Sequence, residues 1–480
     1  MDLIEKRTNC KASESACNSL QMNSPGSGDE LLNHSAHITL TPRETRLRDL
    51  LLDVARYIDE SKVVKERLEL RFAGGWVRDK LLNIPSNDID TVINAMTGYA
   101  FSLKMKEYLE RPENLKKHGL GERDVGNLHK IAANPEKSKH LETVTTKMLG
   151  FDVDFVNLRK ETYSADSRNP QMEFGTAKED ALRRDATINA LFYNIHTDKV
   201  EDSVGGVHDL QAKLIRTPVE PYQTFIDDPL RVLRLIRFAS RLDFKIDKET
   251  EASMADQAIM DAIKLKISRE RVGVEVEKML KGMCSIPRLA SPTKALIGKD
   301  PKRSLELFDR LGLYSTIFTN PMTNNQPQPS TDRWKFSYNC LEVMRLNQSP
   351  RSLYKLLVCS DEATELAWIL SALSPWANVP MLPLSEQTTK ALLPQATLVA
   401  REGIKLNNRM CETVTGAFKH VKEISRLKKA VNDQEPWTRE PDVLGIAIQR
   451  WDAAGGHWKL HVLLAVLVEA MQSVECDGEI

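Results

Sequence analysis

Apolar residues recur at helical spacing through ITLTPRETRLRDLLLDVARYI, where Leu47, Leu50, Leu51, Val54 and Ala55 share one face. Thr41 stands where an N-cap belongs and Pro42 at the first helical position, so the ordered chain is expected to open with a helix here. The period then changes to two. LELRF places Leu68, Leu70 and Phe72 on one side of a strand, Gly74 and Gly75 break it, and WVRDKLL reads as a short helix. NDIDTVI continues the alternation and, after a long polar stretch from Gly98 to Lys139, so do HLETVTTKML and FDVDFVNL. A mixed sheet flanked by helices is implied.

From Glu179 onward the periodicity is mostly helical, broken by proline-rich or polar joints at Arg216 to Pro221, Ser285 to Pro301 and Asn320 to Asp332, with no repeat of fixed period. The pattern predicts an α+β protein: a disordered tail over 1–37, a catalytic head over 38–197, a helical neck over 198–285 and a helical body and tail over 286–480.

Composition changes this picture little. The chain has 480 residues, 41% of them apolar, enough for several cores. Lys+Arg and Asp+Glu are both 67, so a partner as acidic as RNA has to be held by local basic patches and metal ions rather than by a global field. The seven cysteines (Cys10, Cys17, Cys284, Cys340, Cys359, Cys411 and Cys476) are scattered and show no CxxC spacing, which argues against a disulfide framework and a zinc site and favours a reducing interior. The most apolar run, His461 to Met471, is too short for a membrane span and reads as a core helix. The first 36 residues make a poor transit peptide, so cytoplasm, nucleus and mitochondrion all stay open as compartments.

Candidate chemistry concentrates in the head. In RFAGGWVRD a strand runs through Gly74 and Gly75 into a helix N-terminus, whose exposed N–H groups suit a triphosphate, with Arg78 one turn in as a phosphate clamp. A plain strand-to-helix turn with Arg78 and Asp79 as surface charges is the competing reading. Asp88 and Asp90 flank Ile89, so both carboxylates leave one face of a strand and can share divalent cations, as two-metal phosphoryl transfer requires. FDVDF repeats the alternation with Asp152 and Asp154, and a strand laid beside the first would supply a third carboxylate. EDALRRDATINALFYN offers Arg183, Arg184 and Asp185 at a helix, equally readable as a solvated ion-pair cluster, followed by Ile188, Leu191 and Phe192 as a packing stripe.

DDPLRVLRLIRFASRL puts Val232, Leu235, Ile236, Ala239 and Leu242 on one arc of a helix, and Arg231, Arg234, Arg237 and Arg241 on the other. A basic helical face is usually just solvated, and that reading stands beside a second one: four arginines with no interleaved acid repel one another, and a phosphate or base would relieve that repulsion. Asp228 and Arg231, three apart, can present an acceptor beside a donor fork, matching the edge that cytosine and adenine share. Guanine and uracil put a carbonyl where the amino group should be, leaving buried groups unpaired at roughly 1–3 kcal/mol each.

Taken in order, GGWVRDKLLNIPSNDID, RRDATINALFYN, DDPLR and SRERVGVEVEKML resemble the motifs of class II CCA tRNA nucleotidyltransferases, eukaryotic branch, in the polymerase β superfamily. The resemblance spans about Ile38 to Leu280 and implies a polymerase β-like head followed by an all-α neck, body and tail. It implies that Gly74, Gly75 and Arg78 hold the triphosphate, that Asp88 and Asp90 hold two Mg²⁺ ions with Asp154 as a further candidate, and that Arg184 and Asp185 hold ribose and phosphates. It further implies that Asp228 and Arg231 read the base, that Arg234 and Arg237 complete the pocket, and that Arg271, Glu275 and Lys278 brace the neck; for this last set a surface ion-pair ladder is the plain alternative. Where the base-reading motif usually begins with Glu, this chain has Asp227. The Gly98–Lys139 stretch falls where the family keeps a flexible loop.

The implied reaction is template-independent addition of CCA to tRNA from CTP and ATP, releasing pyrophosphate. The helical half would grip the acceptor and T arms, with basic segments such as FKHVKEISRLKK fixing phosphates, and the enzyme would act as a monomer. The rivals are an A-only or CC-only enzyme, a poly(A) polymerase of the same fold, and a catalytically silent RNA-binding scaffold.

Overall fold

Thr41 closes a capping box with Glu44, and Pro42 starts α1 (Pro42–Glu60), whose buried Leu47, Leu50, Leu51, Val54 and Ile58 form a continuous apolar stripe. In the computed structural model that stripe is a wall of the head core. The description covers residues 36–121, 124–126, 129–131, 143–164, 167–281, 300–322, 327–347, 349–380, 393–452 and 457–472, within the unit Ala36–Ile480. The tail expected over 1–37, up to residue 35, and most of the joint at Ser285 to Pro301 therefore lie outside the described residues.

After α1 come β1 (Leu70–Ala73), α2 (Gly75–Leu81), β2 (Asp88–Ile93), α3 (Gly98–Leu109), α4 (Pro112–Lys117), β3 (His129–Ile131), β4 (Thr143–Met148), β5 (Phe151–Asn157), β6 (Arg159–Ser164), β7 (Ser167–Phe174), α5 (Ala177–Leu182), β8 (Phe192–Asn194) and β9 (Lys199–Glu201). Seven of these strands form one sheet in the order β3-β4-β5-β2-β1-β8-β9. Only β2 and β5 are parallel; the other neighbours are antiparallel. β6 and β7 form a separate hairpin. Because the sheet runs on to Glu201, the boundary expected at 197 falls within the β8–β9 turn.

Two expectations need correction. The polar Gly98–Lys139 stretch begins as two helices: Thr97 caps α3, and Phe101, Met105, Tyr108 and Leu109 pack it against the head core. The RRDATINALFYN segment is not a helix bearing a stripe. α5 ends before Arg183, Thr187–Asn189 is a single 3₁₀ turn, and Phe192–Asn194 is a strand paired with β1. Apolar runs this short fit either period, and pairing with β1 decides it.

The chain continues as α6 (Gly206–Gln211), β10 (Leu214–Ile215), α7 (Pro221–Asp227), α8 (Leu230–Leu242), β11 (Lys245–Ile246), α9 (Lys248–Met254), α10 (Gln257–Lys266) and α11 (Arg269–Leu280). Then follow α12 (Pro301–Arg310), α13 (Tyr314–Ile317), α14 (Trp334–Leu346), α15 (Leu353–Leu357), α16 (Asp361–Leu373), α17 (Gln395–Leu398), α18 (Asn408–Asn432), α19 (Pro441–Trp451) and α20 (Trp458–Gln472). α20 contains the apolar run His461 to Met471 and is buried among α14, α16 and α18. No helix among the described residues is long and apolar enough to cross a membrane. One hydrophobic cluster joins α8 through α20, while a second fills the head between α1, α3 and the sheet.

Candidate active site

The parallel register between β2 and β5 sets Asp88 beside Asp152 and Asp90 beside Asp154. Alternation puts all four on one face of the sheet. Lys147 engages Asp152 at 3.1 Å on the exposed rim. Asp154 differs: its Oδ1 is buried with no hydrogen-bond partner. Burial raises the Asp88 carboxyl above the ordinary range, and the charges of Asp154 and Asp152 add to it. Asp90 is pushed up to about 6, by burial first and by Asp154 and Asp88, against the pull of Arg184 and Arg159. The anionic forms of these groups lack enough positive charge, a deficit that a bound cation would fill.

Among the described residues no three His, Cys, Asp or Glu side chains are gathered closely enough to enclose a metal ion by themselves.

Gly74 has φ +67° between β1 and α2, and its N–H donates to the Leu191 carbonyl at 3.1 Å. A side chain there would bring Cβ to 2.8 Å from Arg184 Nη1 and 3.6 Å from Asp90 Oδ2. Glycine is thus required twice, by backbone conformation and by the approach of Arg184. Arg78 and Asp79 are not surface charges: both are buried and paired at 2.6 Å, and Arg78 Nη1 donates to Asn189 Oδ1 at 2.6 Å.

Asn189 then donates to Asp185 Oδ1 at 3.0 Å, and Asp185 Oδ2 accepts from Arg234 Nε at 2.7 Å. Burial would raise the Asp185 carboxyl, but Arg234 and the Asn189 hydrogen bond outweigh it and hold the group far below its ordinary range. Arg184 is fixed by Asp180 at 3.0 Å and by the Asn189 carbonyl at 3.0 Å, over the Phe192 ring. A chain of hydrogen bonds therefore links α2, the turn before β8 and α8.

The bare cationic face expected on α8 is corrected by acids from other elements. Arg234 pairs with Asp185 (2.6 Å), Arg237 with Glu275 (2.7 Å), and Arg241 with Asp79 (3.6 Å). Arg231 donates to the Arg183 carbonyl at 2.8 Å and lies 3.9 Å from Glu161. The mutual repulsion is offset within the fold, so the pairs position the guanidinium groups. Asp228, between α7 and α8, accepts the Leu230 N–H at 3.3 Å, and Asp227 takes a hydrogen bond from Gln223. In the neck, Glu275 is buried and ties α11 to α8, while Lys278 reaches it only at 3.5 Å from a half-exposed position, and Arg271 lies one turn before Glu275 on α11.

Several neighbours escaped the sequence reading. Phe238 lies under the guanidinium groups of Arg78, Arg234 and Arg237, at 5.5, 5.5 and 4.7 Å from its ring centre. Its spacing of four from Arg234 placed it on the arginine arc, the one signal that could have found it. Asn189, Asp180, Glu161 and Arg159 carry no local pattern. Arg159 is held down to about 10, by burial first and then by Arg183.

A mixed sheet carrying paired carboxylates, a glycine turn under an arginine and a helix of paired arginines define a nucleotidyltransferase. Residues 70–216 match the Poly A polymerase head domain. Nucleotidyltransferase lcsQ of Purpureocillium lilacinum is 52% identical over 446 residues, 92% of this chain and 73% of that protein. The mitochondrial CCA tRNA nucleotidyltransferase of Saccharomyces cerevisiae is 42% identical over 389 residues, 77% of this chain and 67% of that one. The solved complex of a CCA-adding enzyme with CTP superposes with a TM-score of 0.57 at 20% identity, covering 89% of this chain and 79% of the other, which establishes the shared fold. The chain belongs to the CCA tRNA nucleotidyltransferase family.

Proposed function

We propose that this protein adds C, C and A in turn to the 3′ end of tRNA, taking CTP and ATP and releasing pyrophosphate, and that it does so at the β2–β5 carboxylates. The observation that carries the reading is the register pairing of Asp90 with Asp154 beside Asp88, under-neutralised groups that face Gly74 and Arg184. Asp88 and Asp90, with Asp154, would hold two Mg²⁺ ions. Bound there, the ions supply activation of the primer hydroxyl and charge neutralisation at the leaving pyrophosphate.

The remaining groups do the positioning. Gly74, Gly75 and Arg78 border the triphosphate, and Arg184 with Asp185 orients ribose and phosphates. Asp228 and Arg231 present an acceptor and a donor fork to the base, with Arg234 and Arg237 closing the pocket. Arg234 is held by Asp185 and Arg237 by Glu275, so less orientational freedom is lost on binding. The neck set Arg271, Glu275 and Lys278 keeps α11 against α8, and the helices beyond residue 285 grip the acceptor and T arms.

The test incubates purified protein with Mg²⁺ and tRNA ending at the discriminator base, supplies the four nucleoside triphosphates singly and together, and sizes products at single-nucleotide resolution. Two additions with CTP alone and a third only with ATP support the reading, with Asp88→Ala/Asp90→Ala inert. Adenine tails of varied length or arrest at CC would replace it with a related polymerase, and no incorporation would replace it with an RNA-binding scaffold.

A further inference from the structure

The β6–β7 hairpin leaves the sheet at the end of β5, directly after the strand that carries Asp154. Its register pairs Arg159 with Phe174, Lys160 with Glu173 and Glu161 with Met172. Residues opposite one another share a face of a two-stranded ribbon, so Arg159, Glu161 and Phe174 look the same way. What they look toward is fixed by the first two. The Arg159 charge acts on Asp90, and the Glu161 carboxylate reaches Arg183 at 2.8 Å and lies 3.9 Å from Arg231. Through Glu161 that face is turned toward Arg183 and the base-reading Arg231.

Glu161 is paired with Arg183 and Arg159 sits mostly out of water 3.9 Å from Glu161, whereas Phe174 is 57% exposed. Every other phenylalanine among the described residues is buried or half-buried. A single exposed apolar side chain is ordinary on a protein surface and by itself asks for no explanation. This one is set apart by its place on the hairpin face that carries Glu161 to Arg183 and Arg231, next to the closed hairpin root. Gly175 follows it and donates its N–H to the Leu158 carbonyl at 3.2 Å. A Cβ on Gly175 would fall 2.7 Å from the Arg159 carbonyl carbon and the Lys160 nitrogen, so the two strands close tightly at the hairpin root beneath the ring.

An aromatic face open to solvent beside a phosphoryl-transfer site matches a nucleobase, whose flat surface stacks on such a ring irrespective of sequence. The base-reading groups of α8 address the incoming nucleotide, which leaves the primer strand without a base platform among the residues described so far. We propose that the Phe174 ring stacks on a base at the 3′ end of the tRNA primer and helps to hold the terminal ribose at the carboxylates; this rests on the reaction proposed above. Sequence-independent stacking suits a platform that meets the discriminator base first and cytosines afterwards.

The experiment compares wild type with Phe174→Ala, Phe174→Leu and Phe174→Trp. Steady-state addition is measured on tRNA ending at the discriminator base, varying tRNA at saturating CTP and CTP at saturating tRNA, with direct tRNA binding by fluorescence anisotropy and thermal melting alongside. Phe174→Ala is expected to raise KM and Kd for tRNA about ten-fold. KM for CTP should stay within about two-fold of wild type. Phe174→Trp should restore tRNA binding and Phe174→Leu should not, a contrast that a purely structural role would not give and that remains readable if Phe174→Ala melts early. A tRNA KM and Kd unchanged in Phe174→Ala, or leucine serving as well as tryptophan, overturns the assignment of the ring while CCA addition by wild type stands. A wild type that adds no nucleotide but binds tRNA in a Phe174-dependent way overturns the proposed reaction instead.

Discussion

Asp154 stands opposite Asp90 in the parallel ladder, and neither the ladder nor any side chain gives its Oδ1 a hydrogen-bond donor. Two acids in adjacent positions on neighbouring strands destabilise each other's anions unless a cation intervenes.

That cost can be measured without catalysis. Asp90 is raised from 3.8 to about 6, so its contribution to stability is complete below about pH 4 and is lost as pH rises through 6. In EDTA, Asp90→Asn is expected to melt close to wild type near pH 4 and above it at pH 7, by at most about 3 kcal/mol. Calorimetry from pH 4 to 8 checks this, and a difference independent of pH would contradict it.

Gly74→Ala tests the turn. The new Cβ meets Arg184 Nη1 at 2.8 Å in a backbone conformation that disfavours any side chain. We expect a loss of about 1–3 kcal/mol in thermal stability. Because Arg184 has to swing aside, KM for CTP should rise as well; wild-type nucleotide kinetics in the variant would show that Arg184 is not needed where it sits.

The Glu275–Arg237 pair lends itself to a double-mutant cycle. Glu275 is buried and Arg237 nearly so, and removing the carboxylate strands a guanidinium whose charge burial already disfavours. Glu275→Ala should cost about 3 kcal/mol, much of it recovered when Arg237 is also replaced by a neutral residue. The companion contact to Lys278, longer and half-exposed, should couple by less than about 1 kcal/mol.

In the distal helices, His461 is buried against Gly416 and stacks on His420 at 5.8 Å. Burial, then the charges of His420 and His457, lower it from 6.5 to about 4. A depressed folded value means stability is complete above pH 6.5 and falls away as pH drops toward 4, by up to about 3 kcal/mol. His461→Phe should flatten that fall in urea titrations at pH 4, 5 and 7; an unchanged slope would place the acid sensitivity elsewhere.

Much of the site could be read from the sequence because its parts are local. The Asp88–Asp90 alternation, the second alternation in β5 and the stripe of α8 each lie within one element, where period alone shows which residues share a face. What stayed hidden depends on partners far along the chain. The acids that neutralise the α8 arginines lie 49 and 38 residues away, at Asp185 and Glu275, so a face that looked bare is a set of paired groups. Phe192–Asn194 is too short to announce a strand, and only its neighbour β1 makes it one. Likewise α3 and α4 hide in a stretch whose polar residues outnumber the apolar ones that pack.

The single parallel step in an otherwise antiparallel sheet also dictates an order of assembly. As the chain leaves the ribosome, Asp88 and Asp90 emerge well before β5 can be laid beside them, and Asp185 and Arg234 emerge later still. Long-range pairing of this kind is slow, and domains fold as units. A half-made chain therefore exposes acids without their arginines. The Asp185–Arg234 pair that ties the turn before β8 to α8 forms only once α8 docks.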